Sequence, residues 1–181
     1  MTAPRGISLR RAPRRADAAA VADLVAGTGF FSDEEVGIAR ELVESALASG
    51  HASGYEFVLA DAAAGLAGYA CFGRIPGTEA SFDLYWVVVA PSLQGQGVGR
   101  RLLGETESAV RSMGGTRLYI DTSSRPQYGP TRQFYAACGY SVAAELPDFY
   151  RPGDGKVIFV KPLGGGWAVS PRAPGVPAAL G

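Results

Sequence analysis

The stretch PSLQGQGVGRRLL, from Pro91 to Leu103, places three glycines within five residues between an apolar run and a helix-like one. Glycine there gives up side-chain packing and adds chain entropy, so its repetition at one corner means that backbone must turn sharply or approach something closely. Before the corner, SFDLYWVVVA is rich in β-branched and aromatic residues. After it, Val98, Leu102, Leu103, Thr106, Ala109, Val110 and Met113 recur at helical spacing up to Gly114 and Gly115, and TRLYID follows as a second strand. A strand, a crossover helix and a second strand form a right-handed parallel unit.

The rest of the chain surrounds this unit with antiparallel pieces. ISLRRAP reads as a basic edge strand with a solvated face. Asp17 is placed to cap a helix AAAVADLVA that Gly27 and Gly29 end. Ser32 and Glu35 form a capping-box pattern that opens a second helix, whose apolar face is Val36, Ala39, Leu42, Val43, Ala46 and Leu47. YEFVLAD, GLAGYACFGRI and SFDLYWVVVA read as a meander, Pro130 starts a short helix TRQFYAAC that Gly139 stops, and YSVAAEL with KVIFVKP reads as a closing antiparallel pair. The expectation is a single α+β domain over residues 1–163, with a Gly/Pro/Ala-rich flexible tail over 164–181.

With 181 residues, 47% of them hydrophobic, the chain has enough for one core. Seventeen basic residues balance seventeen acidic ones, which removes the global field that draws a protein to nucleic acid or an anionic membrane. No apolar run is long enough to span a bilayer, and Cys71 and Cys138 lack the spacing of a metal clip or disulfide framework. These features lead us to expect a cytoplasmic protein without a metal. The preference for arginine, alanine and glycine suggests a GC-rich bacterial genome, and a homodimer is left open.

Three chemistries use glycines at such a corner. A phosphate loop of nucleotidases needs lysine and then Ser or Thr after the last glycine, where Arg100 and Arg101 stand. A dinucleotide fingerprint needs a third glycine that falls on Arg100 or Leu102, although Asp121 ends the second strand where a ribose carboxylate would sit. The third is an anion cradle: amides around Gly95, Gln96, Gly97, Val98 and Gly99 lie at a helix N-terminus, where the helix dipole favours negative charge and Arg100 and Arg101 can add to it.

Gln94, Gly97 and Gly99, preceded by VVVAP and followed by Arg100, form Q-x-x-G-x-G, which resembles the pyrophosphate loop of the GNAT superfamily of acyl-CoA-dependent N-acetyltransferases. The resemblance extends over approximately Ile7 to Leu163. It implies a mixed, mostly antiparallel sheet with a splayed parallel strand pair, acetyl-CoA as co-substrate, and Val87, Val88 and Val89 offering main-chain groups to the pantetheine arm. Phe134, Tyr135, Gly139 and Tyr140 match the superfamily pattern F-Y-x-x-x-G-[FY], which makes Tyr135 the proton donor to the leaving thiolate.

Two carboxylates compete for the role of base in the same resemblance. Asp83 lies eleven residues before Gln94, as the catalytic glutamate does in histone-modifying members, and Asp121 resembles in position the glutamate of members that modify ribosomal proteins. Strict alternation along the strand would put Asp83, Tyr85, Val87 and Val89 on one face and Leu84, Trp86 and Val88 on the other. Tyr85, Thr122, Tyr128 and Tyr150 are expected to edge the acceptor pocket. The expected reaction is acetyl transfer to a primary amine of an amino acid or other small molecule, with a protein N-terminus or a non-catalytic acyl-CoA sensor as alternatives.

Overall fold

The computed structural model describes residues 6–164. The expected tail, apart from Gly164, lies outside the described residues. Seven strands form one sheet: β1 (Ser8–Arg10), β2 (Glu56–Ala62), β3 (Gly65–Arg74), β4 (Ser81–Val89), β5 (Arg117–Ser123), β6 (Ser141–Arg151) and β7 (Asp154–Pro162). Their spatial order is β1-β2-β3-β4-β5-β7-β6, antiparallel throughout except for the β4–β5 pair. Helices α1 (Asp17–Gly27) and α2 (Asp33–Ser49) cover one face, and α3 (Val98–Ser112) and α4 (Gly129–Ala137) cover the other.

Each layer owns a core. Phe57, Leu59, Tyr69, Cys71 and Val88 of the sheet meet Val21, Val25, Ala39 and Val43 of α1 and α2. On the opposite face Phe72, Phe82, Leu118, Ile120 and Phe159 meet Val98, Leu102, Leu103, Val110 and Tyr135. The capping box forms as expected, with Ser32 Oγ accepting from Glu35 N and the Glu35 carboxylate accepting from Ser32 N.

The structure corrects four local expectations. Asp17 starts α1 without capping it; its carboxylate takes both terminal nitrogens of Arg10 at 2.7 Å. Arg10 also donates to Asp61, so this residue of the expected solvated face is instead tied to α1 and β2, while Arg11 stays exposed. Leu47 and Met113, assigned to the apolar faces of their helices, are largely exposed at the ends of those faces. Glu107 instead lies buried in α3, where it accepts from Lys161 Nζ at 2.8 Å and from the Tyr140 hydroxyl at 3.2 Å.

Candidate active site

The site begins with an extra residue. Cys71 pairs with Trp86 and Phe72 pairs with Leu84, which leaves Tyr85 as a bulge in β4. Parallel pairing with β5 stops at Leu84, opposite Ile120, although both strands continue. A bulge bends its strand and ends pairing in this way. Beyond Leu84, the edge of β4 therefore has no strand neighbour on the β5 side, and a gap opens between the two strands.

The same residue resets the side-chain phase. Leu84 now shares the α3 and α4 face with Val87 and Val89, while Trp86 and Val88 point to the α1 and α2 side. Strict alternation is thus overturned. Asp83, between the buried Phe82 and Leu84, lies on the Trp86 side and not with Val87 and Val89.

A cleft of about 580 Å³ runs from this gap to the glycine corner, between Val87 and Val89, the loop residues Gln94, Gly95, Gly97, Gly99 and Arg100, and Phe134 and Tyr135 of α4. Gly95 and Gly97 have φ of 73° and 85°, the left-handed region that disfavours other residues, and Gly97 is the N-cap of α3. No side chain caps this end of α3 and no acidic residue stands in its first turn, so its leading amides remain directed outward. The Val98 side chain is buried in the core, leaving its main chain to the corner.

The remaining loop residues divide. Gln94 lines the cleft and donates from Nε2 to Val89 O at 3.3 Å, while Gln96 donates to Ser92 O and lies off the cleft wall. Arg100 lies along the cleft and reaches Ala137 O, at the end of α4. Arg101 turns away and donates to Ile7 O at 3.1 Å, so its guanidinium supports β1 and is not at the corner.

A second cleft, of about 590 Å³, opens on the other side of the gap. Tyr85, Thr122, Tyr128 and Tyr150, all expected from the sequence, line it together with Asp121. Tyr128, Thr131 and Tyr135 recur at helical spacing, so one face of α4 and its entry turn forms a wall. Phe30 and Phe31 of the α1–α2 connection, with Trp86 from β4, continue this wall through the contact of Phe30 with Tyr128. Val87, Thr131 and Tyr135 belong to both clefts.

Tyr135 is therefore at the junction while being only 5% exposed. Burial, and then the proximity of Cys138, raises its phenol above the ordinary tyrosine value, which keeps the hydroxyl protonated in neutral solution. Asp121, on the wall of the second cleft, is ion-paired with Lys156. Asp83 lines neither cleft. Burial and then the Asp121 charge raise its carboxyl above the usual range, while Lys156 opposes them.

Sequence reasoning did not find Phe30, Phe31, Trp86 or Asp154 as wall residues. The signal for the first two was the adjacent aromatic pair just ahead of the capping box, of which Phe31 packs on the α1 and α2 core and Phe30 stays exposed. Asp154, 5% exposed, is held by Ser123 Oγ at 2.5 Å and by Arg125 Nε at 3.1 Å. Its spacing from both partners conceals that contact in the sequence.

A family model described as an acetyltransferase (GNAT) domain matches residues 53–142. A protein of Desulfovibrio desulfuricans assigned to the GNAT family of acetyltransferases is 45% identical, with a TM-score of 0.86 over 88% of this chain and 100% of that one. An acetyltransferase structure from Salmonella typhimurium, with its cofactor acetyl-CoA, is 19% identical, with a TM-score of 0.71 over 91% of this chain and 98% of its own. The aminoglycoside 6′-N-acetyltransferase of Enterococcus faecium is 20% identical, with a TM-score of 0.67 over 90% and 99% of the two chains. The last two likenesses show the fold alone.

Proposed function

This chain belongs to the GNAT family of acetyltransferases, and from that premise we propose that it transfers an acetyl group from acetyl-CoA to the primary amine of a small molecule across the junction of its two clefts. The observation that carries this reading is the sharing of Val87, Thr131 and Tyr135 by both clefts, with Tyr135 buried at their meeting point. A cofactor approaching along one cleft and an amine along the other meet there.

The glycine corner fits the diphosphate of coenzyme A. Its two left-handed glycines turn the chain without a Cβ, nothing lies within 4 Å of where those Cβ atoms would be, and the uncapped amides of α3 supply donors at the positive end of the helix dipole. Arg100 adds a full charge. Acetyl-CoA supplies an activated thioester. The unpaired edge of β4 at Val87 to Val89 holds the pantetheine arm as a strand would, and an amide near Val88 polarises the acetyl carbonyl.

Two proton movements fall to side chains. Tyr135 holds a proton on its phenolic oxygen and delivers it to the departing sulfur. The incoming amine, with a pKa of about 10 if it resembles lysine, passes its proton through water to the Asp121 carboxylate on this wall and so to bulk solvent. Asp83 acts through its charge coupling to Asp121 and not by touching the substrate. Free Cys71 and Cys138 fit a reducing cytoplasm.

Calorimetry with acetyl-CoA, followed by a thiol-release assay over amino acids, polyamines, aminoglycosides and N-terminal peptides, tests the proposal. Saturable acetyl-CoA binding with amine-dependent thiol release supports it. Binding without release for any amine removes the catalytic reading.

A further inference from the structure

The second cleft has a polarity that selects among amines. Along one wall, rings follow each other from Trp86 to Phe31 at 4.9 Å, Phe31 to Phe30 at 6.2 Å and Phe30 to Tyr128 at 5.3 Å. Phe30 is 48% exposed, an aromatic face presented to the cleft at a cost in hydration. The row ends in a cation, because the Arg125 guanidinium lies 5.5 Å from the centre of the Tyr128 ring.

The charged groups beside that row are unequally committed. Asp121 is paired with Lys156, and Glu35 is bonded to Ser32 in the capping box. Asp154 serves Arg125, Arg151 and Ser123 together. Asp121 and Asp154 are thus already ion-paired, and of the three carboxylates only Glu35, held by the neutral donors of Ser32, keeps an uncompensated charge to meet an amine with several positive charges. The arginines are in the opposite position. Two guanidinium groups share one buried carboxylate, and Arg151, 62% exposed, reaches it only at 3.7 Å.

We propose, on the reading of this site as an acetyltransferase, that the acceptor is a monoamine carrying both an aromatic ring and a carboxylate: an aromatic α-amino acid, or a dipeptide containing one. The ring lies along the Phe30 and Tyr128 wall, and the carboxylate takes the side of Arg151 that Asp154 leaves open, with Arg125 beside it. Planar forks on a guanidinium suit a carboxylate in two-point contact. Aminoglycosides and polyamines are disfavoured because they would bring several ammonium groups to a wall where two of three carboxylates are already ion-paired and two arginines stand beside them.

The test is thiol release by the full chain with acetyl-CoA and L-phenylalanine, L-tryptophan, glycyl-L-phenylalanine, phenethylamine, tryptamine, L-alanine, spermidine or kanamycin. One or more of the three aromatic carboxylates is expected to exceed its decarboxylated or non-aromatic counterparts in kcat/KM by about tenfold or more, the scale of a charged hydrogen bond. The free amino acids against the dipeptide identify which source of the chemistry is used. In Arg151→Ala the ratio of tryptophan to tryptamine, or of phenylalanine to phenethylamine, falls several-fold through a rise in KM for the carboxylate, and Arg151→Lys recovers part of it.

Preference for spermidine or kanamycin overturns the proposal, as does equal use of tryptophan and tryptamine. Acetyl-CoA binding in calorimetry with no aromatic carboxylate turned over overturns the acceptor class alone. No acetyl-CoA binding removes the acetyltransferase reading, and the acceptor proposal with it.

Discussion

Lys156 pairs its ammonium with the Asp121 carboxylate at the edge of the second cleft, and that one cation also opposes the burial and the Asp121 charge that raise the Asp83 carboxyl. The three side chains come from strands β4, β5 and β7, which lie side by side in the sheet.

Asp83 yields a pH-dependent stability. Its folded carboxyl binds a proton more tightly than in the unfolded chain, so its contribution is complete below the ordinary carboxylate pKa of about 4 and is lost as pH rises through the raised folded value. Asp83→Asn, neutral at every pH, should melt higher than wild type at pH 7, and the difference should vanish near pH 3. In Lys156→Gln the same window moves to higher pH. Thermal melts across pH check both.

Tyr135→Phe should lower kcat by about 10²-fold or more, the usual scale for a lost general acid, with acetyl-CoA affinity changed less than about threefold. Because burial raises the phenol, wild-type kcat should show no alkaline fall up to about pH 10 from this group. Pre-steady-state rates and calorimetry separate the two effects.

Gly97→Val should weaken acetyl-CoA binding more than tenfold and cost about 1–2 kcal/mol of stability, since a β-branched residue is forced to a φ of 85°. Open space around the missing Cβ means that the loss comes from backbone conformation and from blocked approach, not from a clash within the protein. Gly104→Ala, inside α3 and equally open, should gain about 0.5–1 kcal/mol with binding unaffected. Calorimetry and melting curves distinguish them.

Glu107→Ala should cost about 3 kcal/mol, because it leaves the Lys161 ammonium and the Tyr140 hydroxyl without their shared acceptor in a buried setting. For a chain of this size that corresponds to a fall in Tm of roughly 6–12 °C. Glu107→Gln should lose less, since an amide oxygen can still accept.

What was legible in the sequence was whatever a local period or a turn residue encodes. The meander, the parallel crossover at Gly95 to Gly99, the capping box and the closing hairpin all have such signals, and each occupies the place they indicate. Tyr85 and Thr122, near where the parallel pair parts, and Tyr128 and Tyr150, in the turn before α4 and in β6, all line the second cleft. The position of Asp83 was not legible: period-two counting carries no mark for the bulge at Tyr85. Nor did helical spacing reveal Glu107, which is held by a lysine 54 residues away, or the direction of Arg101, set by the carbonyl of Ile7 just ahead of β1.

The surplus residue in β4 also sets a trade-off. Removing Tyr85 would restore an unbroken ladder and, because Trp86 and Val87 already fall on the faces that regular alternation demands, would leave both cores correctly filled. The shortened strand would be free to zip along β5 to its end, gaining main-chain hydrogen bonds and a stiffer sheet. It would do so by sealing the slot proposed above for the pantetheine arm, so on that reading a more robust molecule and a working one differ here by a single insertion.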